Sequence, residues 1–138
     1  MKDNIGILIE SCKQMAKELL IEFGEFYPFA FALDKKHEII PVAAYEGEEV
    51  LSVEKEITLL EKALRHSDRN LTYTTVIICV DVFTPNSNEK SSALELRVDD
   101  KFYKSFNVYI RYEQSDNGEI KFEEISDEVL GNLIYFPR

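Results

Sequence analysis

Tryptophan is absent from this 138-residue chain, and cysteine and histidine occur twice each. Cys12 and Cys79 form no C-x-x-C and no framework of the kind that staples small secreted domains, so a reducing, cytoplasmic setting is expected. His37 and His66 have no partner at metal-ligand spacing such as H-x-x-x-H. A general base also needs an orienting neighbour, so neither histidine is assigned a catalytic or metal role and no cofactor is expected. The five glycines never cluster, which leaves no Walker A loop, no G-x-G-x-x-G and no G-x-S-x-G elbow. No apolar run approaches the length of a membrane span. Lys2-Asp3 and the break of Ile7-Leu8-Ile9 at Glu10 do not read as a signal peptide. Positive charge is also scarce. Sixteen lysines and arginines face 26 acids, for a net charge of −10, and no basic run exists. Binding through phosphates requires a positive face, so neither nucleic acid nor an anionic membrane is an expected partner.

What is present suits a folded domain. Hydrophobic residues make up 45% of the chain and aromatics 12%, enough to bury a core, and no repeat or linker interrupts it. One domain over residues 1–138 is expected. Ile5, Leu8, Cys12, Met15, Leu19 and Phe23 recur at steps of three and four, which predicts a helix over 4–23 closed by Gly24. Pro28 then directs the chain into an extended segment, with Phe29, Phe31 and Leu33 on one face and Ala30 and Ala32 on the other. Residues 38–45 return as a second strand, placed at an edge because Pro41 cannot donate a ladder hydrogen bond. Ser52 caps a second helix over 52–66, with Val53, Ile57, Leu60 and Leu64 as its buried stripe. Val76 to Val80 is apolar on both faces and reads as a strand covered on both sides. Residues 85–91 read as a polar loop, followed by alternating strands at 93–99 and 102–112 and a short one at Ile120–Phe122. Ser126 reads as the cap of a short helix, and Leu133 to Phe136 as an exposed apolar tail. Helix, hairpin, helix and meander together predict an α+β domain with a single antiparallel sheet of five to six strands and two main helices.

Little in this pattern carries chemistry. Both cysteines fall within apolar periodic segments and read as buried, inert side chains. Asp99-Asp100 reads as a turn. Asp116-Asn117-Gly118 lacks the spacing of a calcium loop and reads as a hairpin turn. The acids, however, are concentrated. Residues 38–56 hold six of them against Lys55 alone, and residues 113–138 hold seven against Lys121 and Arg138, which accounts for the whole net charge. The two segments form either one acidic face or two separate solvated edges. Glu46, Glu48, Glu49 and Glu54 are the candidate partner-binding residues.

Within residues 24–40, Phe26, Pro28, Phe29 and Asp34 resemble the F-x-P-F strand and hairpin that follow the first helix in a group of small, largely uncharacterised bacterial proteins. Lys36 departs from that pattern, which usually carries glycine there, and the resemblance implies no activity. The small acidic α+β character is also similar to bacterial immunity proteins, which neutralise toxins by charge complementarity. The element order resembles roadblock/longin-type domains, which bind and dimerise. The expected function is therefore a non-catalytic protein-binding module, such as an immunity-type inhibitor of a basic protein. An enzyme using Asp or Glu without a sequence signature, and a roadblock-like adaptor or homodimer, are the alternatives.

Overall fold

The computed structural model describes residues 2–43, 52–86 and 89–138. The elements run α1 (Lys2–Phe23), β1 (Phe29–Asp34), β2 (Ile39–Val42), α2 (Val53–Ser67), β3 (Tyr73–Asn86), β4 (Glu89–Asp100), β5 (Ser105–Gln114), β6 (Ile120–Ile125) and β7 (Val129–Leu130). They form one antiparallel sheet in the order β2-β1-β3-β4-β5-β6, and the two-residue β7 pairs with β5. The α+β class, the helix–hairpin–helix order and the edge position of β2 are as expected. Among the described residues no helix is long and apolar enough to cross a membrane.

Each face of the sheet carries one helix, and the sequence alternation explains which. Phe31 and Leu33 of β1, with Ile77 and Cys79 of β3, point into a cluster with Leu8, Cys12, Ala16 and Leu20 of α1. Ala30 and Ala32, with Val76, Ile78 and Val80, point the other way, to Ile57, Leu60 and Leu64 of α2. The two alanines leave room for α2 to approach closely. Ser52 accepts the amide of Lys55 at 3.3 Å, and Asp68 closes the other end of α2.

The buried stripe of α1 differs from the expected one beyond its third turn. Ala16 and Leu20 are buried, whereas Met15 and Leu19 are half-buried and Phe23 is exposed. Cys12, Ala16 and Leu20 are as regularly spaced as Cys12, Met15 and Leu19, so periodicity alone gave no reason to choose between the two stripes. The cysteines behave as expected, both fully buried and free. Burial, reinforced by the neighbouring Cys12, pushes the Cys79 thiol well up. A thiol reagent should therefore leave the native protein unlabelled and react with both cysteines in denaturant. Rapid labelling of either one under native conditions would contradict this packing.

The end of the chain departs furthest from expectation. No helix follows Ser126, whose hydroxyl instead accepts the Tyr109 amide at 2.8 Å. The tail is not an exposed apolar segment. Leu133, Tyr135 and Phe136 are buried in the α2-side core, and only Ile134 of this group faces out. Asp99 and Asp100 are not a turn but the buried last residues of β4. Asp99 Oδ2 accepts the amides of Tyr135 at 2.8 Å and Phe136 at 2.9 Å, while Oδ1 pairs with Arg138 at 2.8 Å. Arg65 donates to the carbonyls of Ile134 at 2.7 Å and Tyr135 at 3.0 Å. The polar loop expected at 85–91 is also shorter. The ladder of β3 and β4 continues out to Asn86 and Glu89, and residues 87–88 lie outside the described residues.

Gly131 opens the tail and touches β5. A Cβ there would lie 2.4 Å from the Phe106 amide nitrogen and 2.5 Å from the Ser105 carbonyl carbon, both backbone atoms. Gly131→Ala should therefore destabilise the fold by about 1–3 kcal/mol, the usual cost of forced overpacking. An unchanged denaturation midpoint for this variant would show that the tail is free to move off β5.

Candidate functional site

Two residues assigned to buried stripes by their spacing are instead exposed. Phe23, at the end of α1, is 64% exposed, and Val53, at the start of α2, is 47% exposed. Both lie at the same end of the sheet and wall one cleft of about 830 Å³. Tyr27 and Pro28, from the link into β1, complete its apolar side, and β3 contributes Val80 and Asp81. Glu25 also lines it, and none of the described lining residues is basic.

The chain around Gly24 explains why the cleft is open. Gly24 has φ +77° and returns its amide to the Leu20 carbonyl at 2.9 Å, which stops α1 with a left-handed residue. Glu25 to Pro28 then cross to the sheet, and β1 joins β3 only at Phe29, opposite Cys79. In the same register Pro28 would stand opposite Val80, whose own backbone groups turn to β4. Among the described residues, β3 beyond Cys79 is paired with β4 on one side and has no paired strand on the other.

The electrostatics of the cleft are one-sided. Asp81 is half-buried and accepts the Tyr112 hydroxyl at 2.6 Å. Burial raises its carboxyl above the ordinary range and the Glu25 charge adds to this, outweighing the opposing effect of the Tyr112 bond. Burial, then the bond to Asp81, pushes the Tyr112 phenol far up. The last turn of α1 contains no basic side chain, so the negative end of its dipole is uncompensated beside the two acids. Carboxylates, helix end and apolar wall together would favour a cation carried on an apolar stem.

The other buried acids are already committed. Asp34 accepts the amides of Lys36 and Glu38, both at 2.9 Å, in the β1–β2 turn. Asp68 accepts Thr72 at 2.7 Å and Tyr73 at 3.2 Å, and the Tyr135 hydroxyl at 3.1 Å. A second depression of about 700 Å³, between β5 and β6, carries Arg111 together with Glu123 and Glu124, so a basic side chain already offsets part of its negative charge.

Of the partner-binding residues expected from sequence, Glu46, Glu48 and Glu49 lie outside the described residues. Glu54 is exposed in the first turn of α2, next to Val53 of the cleft. β2 and β6, the strands that fall in the two acidic segments, are at opposite ends of the strand order. His37 sits in the β1–β2 turn with φ 63°, and His66 in the last turn of α2. Sequence reasoning missed Glu25, Asp81 and Tyr112. The available signal was Asp81 itself, a lone charge inside an otherwise apolar strand between Val80 and Val82. No family model, no characterised protein and no solved structure matches the chain.

Proposed function

We propose that this chain is a non-catalytic protein-binding module that holds a basic partner at the cleft, as an immunity-type inhibitor or a small adaptor would. The observation that carries this reading is Asp81. A carboxyl raised in the folded state holds its proton longer there than in the unfolded chain. From the ordinary carboxylate range up to that raised value, stability falls as pH rises, and above it the charged group remains a cost to folding. A cation seated beside Asp81 would offset that cost. The apolar walls and the end of α1, which has no basic side chain in its last turn, support the same reading, a lysine or arginine on a protein surface.

Asp81→Asn keeps an acceptor for the Tyr112 hydroxyl and removes the charge. At neutral pH it should be at least as stable as the parent, and it should bind more weakly. The measurement is retention of proteins from an extract of the native host at low and high salt, by parent and variant side by side. A basic protein held by the parent at low salt, released at high salt and lost by Asp81→Asn is the expected result. Partners retained equally by both would exclude the cleft. The raised carboxyl of Asp81 beside Tyr112 also favours a second reading, in which Asp81 is a general acid. Turnover that is lost in Asp81→Asn and titrates above the usual carboxylate range would establish that reading instead.

A further inference from the structure

Resting on the binding reading above, we infer that the partner is engaged as an extended segment that adds to the β1-side edge of β3 from Asp81 onward, with a basic and an apolar side chain at adjacent positions. Three observations meet there. First, the β1 side of β3 has no partner beyond Cys79 among the described residues, while β3 itself continues to Asn86. In an antiparallel ladder each residue turns its N–H and C=O to the same neighbour. Lys101 donates its amide to the Thr74 carbonyl, so in the unshifted register Thr74, Val76, Ile78 and Val80 turn their groups to β4, and Asp81 and Phe83 turn theirs to the cleft side.

Second, the alternation of β3 assigns chemistry to each face of an added strand. Ile77 and Cys79 point to the α1 side, and Asp81 follows in the same phase, joined to Tyr112 of that cluster. Val76, Ile78 and Val80 point to the α2 side, toward which Val53 closes the cleft. An added strand would send one side chain toward Asp81, Glu25 and the end of α1, and the next toward Val80 and Val53. The first position takes lysine or arginine, and the second takes a branched or aromatic side chain.

Third, exposed edges are ordinarily protected by inward-pointing charge. Asp81 serves that purpose and also selects. A chain of net charge −10 gains nothing by presenting its own acidic edge here, whereas a basic strand neutralises Asp81 on arrival.

The test uses the whole protein and a displayed library of random ten-residue peptides, selected at low salt on the parent and counter-selected on Asp81→Asn. Selected peptides should carry a basic residue next to an apolar one. Each is then resynthesised with a single backbone N-methyl group at every position in turn. Methylation at alternate positions should weaken binding about tenfold, while the intervening positions stay within about twofold, because only one phase faces β3. Hydrogen exchange should slow at amides within Val80–Phe83 on binding. Peptides that depend on Asp81 but are indifferent to methylation, with no protection at those amides, would overturn strand addition and leave the binding reading standing. Failure to select any Asp81-dependent peptide would overturn both. Protection of Val80–Phe83 that rises with protein concentration, without peptide, would place a second copy on the edge and also overturn the inference. The modification is on the peptide, so no outcome turns on whether a variant folds.

Discussion

Asp99→Ala should lower stability by about 3–5 kcal/mol, the range for removing one partner from a buried charge pair. Its side chain is fully buried and accepts two backbone amides, from Tyr135 and Phe136, besides the pair with Arg138. Alanine would leave both amides unsatisfied in the core and strand the Arg138 guanidinium. The tail would then lose its anchor on β4, and Tyr135 and Phe136, which pack on α2, would lose their placement. Arg138→Ala should cost less, since the Asp99 carboxylate left behind still accepts the amides of Tyr135 and Phe136. Urea denaturation of the two variants measures the difference. Equal midpoints would show that the amides, not the ion pair, can find other acceptors, and that the tail is held by its apolar side chains alone.

Ile78→Ala should cost about 2–4 kcal/mol, as truncation of a buried aliphatic does where the site cannot collapse. Ile78 is fully buried at the centre of β3, with Ala30 beside it on β1 and Arg97 beside it on β4. Its side chain meets Ile57, Leu60 and Leu64 of α2 in the same cluster. Ala30 is too small to fill the space that Ile78 would vacate, so a cavity would remain under the helix. Leu130→Ala is the matched control. Leu130 is 94% exposed, and its removal should leave the midpoint almost unchanged. A midpoint for Ile78→Ala as close to the parent as that of Leu130→Ala would mean that α2 does not bear on this face.

Most of the architecture was legible before any coordinates. Alternation of Phe29, Phe31 and Leu33 with Ala30 and Ala32 named both faces of β1, and the unbroken apolar run Val76 to Val80 marked the doubly covered strand. Pro41 placed β2 at an edge. These readings succeeded because they depend on local geometry, a period of two in strands and 3.6 in helices, which each residue obeys wherever the element docks. The exposure of Phe23 and Val53 has one origin. Phe23 and Val53 fit their helical stripes perfectly, but a stripe extends as far as the helix while its partner surface does not. β1 begins only at Phe29, so the end of α1 and the start of α2 overhang the point where the sheet loses a strand.

The sequence by itself determined the class of fold, the element order, the burial of both cysteines and the excess of negative charge. Only the tertiary structure decided that Asp99 holds the tail, since its acceptors meet donors more than thirty residues away. It alone also decided that Glu25, Asp81, Phe23 and Val53 share one cleft. Those residues come from four segments, and no local rule relates them. Their meeting follows from sheet order, from the start of β1 at Phe29, and from the packing of one helix on each face. Pairings of this kind are set by the closure of the whole chain, which is why a charge that looked like an interruption in a strand became the centre of the proposed binding site.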